Sequence, residues 1–579
     1  MQPAEISDLV DLISSYGDFT AANVRLHKQT GIQLFFTDAA AFRRFPQLLL
    51  DTSLHPRTSS SRELGDFQTP TNLADQICRY LGSTGLQPRV VVEPTCGAGN
   101  FVFAALKNFP SIRLMYGVDS DQQYVERLKI ALLKQALHNN TRLPDTIIHR
   151  DNVFTHRFSP EVMTSNEVLI IGNPPWITNA ELSVLGSNNH AEKKNFKRAA
   201  GLSALTGKSN FDIAESVMLR MLRLFSERSG KLAMLCKNSV IRNIIDFLPQ
   251  LECKISDILA LKIDARKNFG VSADASLCVM RLGSSRRSLY CNVGTLQSPK
   301  KTNHSFGWVG NRFVANREGY RSVERLDGAS PFTWRQGIKH DCAKIMELAV
   351  YNERNINGLG EAVSIEDDRV YWLLKGSDLR VFKIERATKR LIITNRKLNE
   401  DTVQLERDSP RLWKYLTKNQ AFFKKRKSSI YKNKPVFSSF GIGNYSFAPY
   451  KVAISGLHKT PLFALVTPLD RRSVMLDDTS YFLGFEKYED ALFTASVLNT
   501  PLIKQFLESI VFVDAKRPYT KEQLMRIDLA NAVKLISFSD LKQVWKNHEC
   551  SFEDAPSYSD YHRYKQRILR GKQDQIAVE

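Results

Sequence analysis

The stretch VLIIGNPPWITNAE, residues 168–181, decides how the surrounding chain is read. Val168, Leu169, Ile170 and Ile171 form a continuously apolar run, as the interior strand of a parallel sheet requires. Pro174 and Pro175 cannot continue a central strand, so they mark its carboxyl end. Asn173 and Trp176 then fall on a stiff loop at the sheet edge, where open α/β folds bind ligands. A plain turn accounts for the prolines. It leaves unexplained a planar carboxamide beside a large stacking surface.

Working outward, RVVVE (89–93), LMYGVD (114–119) and TIIHRD (146–151) read as further strands. The helix-like segment DQQYVERLKIALLKQAL (121–137) carries Tyr124, Leu128, Leu132 and Ala136 on one face. KLAMLCKN (231–238) and ASLCVMRLG (275–283) extend the series. Strands alternating with helices at this spacing predict a doubly wound, Rossmann-like α/β sheet. Its strand ends carry a consistent chemistry. EPTCGAGNF (93–101) follows the first strand, and Gly97 and Gly99 let the backbone turn and approach a ligand. Phe101 and Val102 stand where the third glycine of a dinucleotide fingerprint is wanted. Asp119 ends the second strand, where a carboxylate can accept both hydroxyls of a ribose. Asp151 follows the third and is suited to an adenine amino group. With NPPW after the fourth, this is the pattern of an adenosyl-ligand site whose reacting group sits beside Asn173.

At 579 residues the chain is too long for one ordinary core. The polar run TSSSRELG (58–65) and the change of rhythm after 286 divide it into an N-terminal helical extension (1–60), an α/β domain (61–286) and a mixed α/β domain (287–579). No apolar run is long enough to span a membrane, and MQPAEISDLVDL lacks the build of a secretory signal, so a cytoplasmic protein is expected. The eight cysteines are scattered without a CxxC pair and the histidines without HExxH, which predicts no metal site and a reducing compartment. The net charge of +21 favours a polyanionic partner. Between Asp408 and Asp470 there is no acidic residue, yet eleven lysines and arginines fall there. Among them Lys424, Lys425, Arg426 and Lys427 are candidate phosphate contacts. The polar stretch 177–206 is expected to order over a substrate.

In this order GDFQTP (65–70), EPTCGAGNF, GVDSD, RDNVF and GNPPW resemble the DNA adenine-N6 methyltransferases of the gamma, TaqI-like class. GKSNFDIAESVMLRML (207–222) looks like the family's helix after the catalytic loop, and NFGVSADASLCVMRL (268–282) like its final aromatic-bearing strand. The resemblance implies a class I S-adenosylmethionine-dependent methyltransferase domain followed by a target-recognition domain. It implies cofactor contacts from Thr69, Pro70, Glu93, Cys96, Gly97, Gly99, Asp119 and Asp151. It also implies a catalytic loop of Asn173, Pro174, Pro175 and Trp176, with Trp176 stacking on a base that has left the duplex. Phe269 is a candidate second face of the base pocket, and Lys208 and Asn210 match the helix motif. Trp176 stands where many relatives carry Tyr. Asn152 replaces an aromatic often found after the third-strand acid, so stacking on the donor adenine falls to Phe154 or another residue. The implied partner is double-stranded DNA, modified by a monomer in a prokaryotic, nucleoid-associated setting, alone or beside a cognate restriction endonuclease. No PD…(D/E)xK cluster is evident outside the α/β domain, which reads as modification without cleavage. Two readings compete: an RNA or protein-glutamine methyltransferase, whose families share NPP-aromatic loops but are typically compact, and a non-catalytic binder on a decayed fold, which intact Asn173, Asp119 and Gly97 oppose.

Overall fold

Val168–Ile171 is wholly buried, part of an interior strand of an eleven-stranded sheet in the computed structural model, which describes residues 3–50, 67–177, 212–550 and 556–576. The linker 58–65, Lys208, Asn210 and nearly all of the polar stretch 177–206 lie outside the described residues. The chain divides into two compact units, Met1–Phe313 and Val314–Glu579.

In the first unit the strands are β1 (Ile32–Gln33), β2 (Val90–Glu93), β3 (Leu114–Asp119), β4 (Asp145–Arg150), β5 (Val168–Gly172), β6 (Gly230–Lys237), β7 (Ile255–Ile263), β8 (Ala275–Leu282), β9 (Tyr290–Thr295), β10 (His304–Val309) and β11 (Arg312–Val314). Their spatial order is β1-β4-β3-β2-β5-β6-β8-β7-β9-β10-β11. The first six in that order pair in parallel, and β8 runs antiparallel between β6 and β7. From β2 the chain winds out through β3 and β4 and returns to β5 on the other side. The crevice at such a reversal opens at the carboxyl ends of β2 and β5.

The helices follow from their apolar faces. Gln122–His138 starts at Asp121, whose carboxylate accepts the Gln123 and Tyr124 amides as an N-cap should. It buries Val125, Leu128, Leu132, Leu133 and Ala136 at helical spacing. Lys129 lies on the same buried face and donates from Nζ to the carbonyls of Leu34 (2.6 Å) and Phe35 (3.2 Å). Burial pushes its pKa down to about 8. This clasp and the β1–β4 pairing join the N-terminal segment to the sheet, where composition suggested a separate extension. The sheet likewise continues past residue 287. The polar run there is the β8–β9 connection, and β9 pairs in parallel with β7.

The second unit is mixed α/β, with a five-stranded and a six-stranded sheet followed by helices from Tyr488 onward. Aromatics of the basic run serve its core: Phe423 and Phe437 are buried, with Trp413, Tyr415 and Phe422 packed beside them. Lys451 is 1% exposed, and its Nζ donates to the Ala448 carbonyl at 2.6 Å. Burial lowers its pKa from 10.5 to about 7. Between those values the unfolded chain binds the extra proton, so stability must rise with pH there, by about 1.4 kcal/mol per unit at the steepest. Between pH 7 and 9 the unfolding free energy of the native protein will therefore climb relative to that of Lys451→Met; parallel curves would refute this. No helix among the described residues is long and apolar enough to cross a membrane.

Candidate active site

The glycine loop after β2 is shaped by two residues in the left-handed region, Gly97 (φ +48°) and Gly99 (φ +82°). A Cβ on Gly99 would lie 2.2 Å from Leu128 Cδ1, and one on Gly97 would lie 2.7 Å from Gln68 Oε1. A side chain there would be strained by the backbone conformation and would displace the ends of Gln68 and Leu128. The 67–70 segment closes over this loop: Gln68 Oε1 accepts the Ala98 amide (3.0 Å), and the Thr69 carbonyl accepts Asn100 Nδ2 (2.6 Å). Thr69 is buried, and Pro70 leads into the helix Thr71–Ser83. Gln68 carries no sequence signal of its own, although it lies within the quoted GDFQTP.

Asp119 holds the loop from the end of β3, accepting the Gly97 amide (2.8 Å) and the Asp121 amide (2.9 Å). Glu93 is 3% exposed, and its Oε2 has no hydrogen-bond partner among the described residues. Burial, then the Asp119 charge, push its pKa well above the usual carboxylate value. The same two causes raise the Cys96 thiol, which stays protonated and is no nucleophile. Partial burial pushes Asp151 upward, but hydrogen bonds from His156 and the Asn152 amide outweigh it and leave the pKa below the ordinary value. Asp151 is ionised at neutral pH. Asn152 spends its side chain on the Phe154 amide (2.9 Å), which turns the chain so that the Phe154 ring lines the cavity.

That cavity, of about 360 Å³, is lined by Glu93, Gly97, Asp119, Asp151, Phe154 and Asn173 among others. Asn173 leaves β5 at the expected point. Its Nδ2 donates to the Phe67 carbonyl at 2.7 Å, while its Oδ1 is buried with no partner among the described residues. Pro174 is buried and Pro175 lines the cavity. The Ile177 carbonyl then accepts the Ile213 amide (2.9 Å), tying the loop to the helix Ile213–Phe225. Asp212 caps that helix and pairs with Lys237 (2.8 Å), a half-buried ion pair with no local sequence signal.

Two of the expected site residues are engaged within the protein itself. Trp176, the stacking surface implied by the resemblance, is 5% exposed, with its ring packed 5.1 Å from Phe269 and 5.7 Å from Phe67. Aromatic rings at these spacings cover one another's apolar faces. Arg426, a candidate phosphate contact by sequence, donates to the carbonyls of Val436 (2.6 Å), Ser438 (2.8 Å), His340 and Phe423 (both 3.2 Å) and lies 3.6 Å over Tyr431. It clasps its own loop, whereas Lys424, Lys425 and Lys427 are exposed.

The residues suit an adenosyl sulfonium ligand. Two carboxylates stand at the ends of neighbouring strands, with a backbone cradle that a Cβ would fill. Glu93 Oε2 and Asn173 Oδ1 are buried polar atoms without a partner among the described residues. No protein-family model matches the chain. A Type II methyltransferase, M.NspV from Nostoc sp. (strain ATCC 29411 / PCC 7524), is 37% identical over 486 residues, covering 83% of this chain and 100% of that protein. The Type IIL restriction-modification enzyme MmeI, solved in complex with DNA, superposes with a TM-score of 0.51 at 12% identity. It covers 94% of this chain and 82% of its own, a likeness of fold alone. The fold is that of a class I S-adenosylmethionine-dependent methyltransferase with a mixed α/β domain after it, and S-adenosylmethionine is the cofactor. The chain belongs to the Type II methyltransferases of restriction-modification systems.

Proposed function

We propose that the chain is a site-specific DNA methyltransferase acting on the N6 amino group of adenine in double-stranded DNA. It would serve as the modification component of a restriction-modification or phage-defence system, a monomer in the prokaryotic cytoplasm acting alone or beside a cognate endonuclease. The observation that carries this reading is Asn173: a carboxamide held by Phe67, its oxygen buried and without a partner among the described residues, at the rim of the cofactor cavity.

An exocyclic adenine nitrogen is a poor nucleophile because its lone pair is delocalised into the ring. Asn173 Oδ1 accepting one N6 hydrogen and the Pro174 carbonyl the other would draw the nitrogen toward pyramidal geometry and localise that pair. Bound S-adenosylmethionine supplies the electrophilic methyl group. The chain's contribution is position and fixed dipoles, and the two prolines keep the carboxamide from turning away. The protonated Cys96 leaves direct transfer as the economical route. A base reaches Asn173 only after leaving the duplex, at a cost of roughly a few kcal/mol. Once Phe67 and Phe269 part from it, stacking on Trp176 would offset some of that cost.

The test is methyl transfer from labelled S-adenosylmethionine to unmethylated duplex DNA, RNA and protein extract in parallel. Label confined to duplex DNA is the expected result; label in RNA or protein would assign the same chemistry to another substrate. Binding should report on the lysines. Replacing Lys424, Lys425 and Lys427 together by glutamine will weaken DNA binding evenly across sequences. It will also reduce the slope of log Kd against log salt by about 0.9 for each phosphate no longer neutralised. Arg426→Gln will instead lower the melting temperature. An unchanged slope in the triple variant would remove these lysines from the interface.

A further inference from the structure

Asp151 stands at the cavity rim with its side chain 44% exposed. An exposed carboxylate would ordinarily turn about its side-chain bonds, yet both oxygens are held. Oδ1 accepts the Asn152 amide and Oδ2 accepts from His156 Nδ1, each at 2.7 Å. An ionised carboxylate only accepts, so the bond to Oδ2 places a proton on Nδ1. Across the ring Nε2 is hydrogen-bonded to the Tyr116 hydroxyl at 2.9 Å. His156 and Tyr116 are both buried, and Phe158 and His149 pack against the His156 ring at 5.0 and 5.2 Å. Arg220 fixes the backbone here by donating to the His156 carbonyl at 2.7 Å. The chain of bonds thus runs from the rim into the core. It ends on β3, the strand that carries Asp119.

An imidazole suits this place. Its flat ring, held at both nitrogens, orients the carboxylate through one fixed N–H, which the flexible stem of a lysine would not do.

We propose that His156, backed by Tyr116, is a positioning residue: it holds the Asp151 carboxylate in the orientation that accepts a hydrogen from the purine 6-amino group, and so sets the site's preference for adenosyl over 6-oxopurine cofactors. The inference rests on S-adenosylmethionine as cofactor and on Asp151 as the adenine acid. A carboxylate free to rotate would still bind a purine. It would no longer distinguish an amino donor from a carbonyl acceptor.

The experiment is calorimetry of the full-length protein with S-adenosylhomocysteine and its deaminated analogue S-inosylhomocysteine. The native protein should prefer the adenosyl ligand. His156→Phe keeps a ring in the packing and removes both hydrogen bonds. It should reduce that preference about tenfold, the loss falling on the adenosyl ligand alone. His156→Asn places an amide donor where Nδ1 was and should restore most of the preference; Tyr116→Phe should give an intermediate value. If both ligands weaken by the same factor, or the preference is unchanged, His156 only packs and the proposal is wrong. Should His156→Phe fail to fold, Tyr116→Phe makes the same comparison. A native protein that binds neither ligand would overturn the cofactor assignment itself, a result distinct from an unchanged ratio.

Discussion

Asn173→Ala will lower the rate of methyl transfer by about a thousandfold, the upper range for loss of one preorganised polar group at a reacting centre. Cofactor affinity should change little. The variant loses the Oδ1 acceptor on which activation of the amino group depends, together with the Nδ2 bond to the Phe67 carbonyl that aims it. The prolines that follow are untouched, so the loop keeps its course and the cavity its walls. Asn173→Asp separates the two contributions. It keeps an acceptor but cannot donate to Phe67, and it sets a second carboxylate near Glu93; its activity should fall between those of the native enzyme and the alanine variant. Single-turnover transfer measured beside S-adenosylhomocysteine calorimetry checks this. Equal losses of rate and affinity would mean that Asn173 shapes the cofactor pocket instead of acting on the target.

Asp119→Ala should have the opposite profile. S-adenosylmethionine affinity will fall by about a hundredfold, the worth of one or two hydrogen bonds to a charged group, while turnover at saturating cofactor stays within several-fold of native. The variant removes the proposed acceptor for the ribose hydroxyls and also releases the Gly97 and Asp121 amides that Asp119 holds. The neighbouring Glu93 should respond, because the Asp119 charge helps to raise its pKa; without that charge Glu93 ionises at lower pH. The pH profile of cofactor binding should therefore extend further to the acid side in the variant than in the native enzyme. A fall in turnover without loss of affinity would remove Asp119 from the cofactor site.

Much of the first unit was legible because its signals are local. LMYGVD forms β3 residue for residue, and VLIIGN stops at Gly172, just before the carboxamide and the prolines. The segment 121–137 becomes the helix Gln122–His138 with Asp121 as its cap. The glycine loop and the acids at the strand ends also declare themselves, since position at a strand end is itself a sequence property. What depends on distant partners was not legible. The two-residue strand Ile32–Gln33 exists only because β4 offers it an edge. The sheet continues beyond 287 through a polar connection that reads like a boundary. Arg426 resembles its lysine neighbours in the sequence, and only the fold brings four carbonyls around it. His156 lies five residues after Asp151 with nothing nearby to show that a tyrosine from another strand stands behind it. The sequence marks Trp176 as an aromatic at the right place, but whether its face is open depends on Phe67 and Phe269, far away in the chain.

The central claim is the identity of the acceptor atom. Duplex DNA incubated with the enzyme and methyl-deuterated S-adenosylmethionine, then digested to nucleosides for mass spectrometry, locates the methyl group directly. Deuterium in N6-methyladenine at a recurring sequence, lost with Asn173→Ala, is the predicted result. Deuterium in a methylated cytosine, or in no nucleoside while S-adenosylhomocysteine still binds, would contradict the adenine-N6 reading.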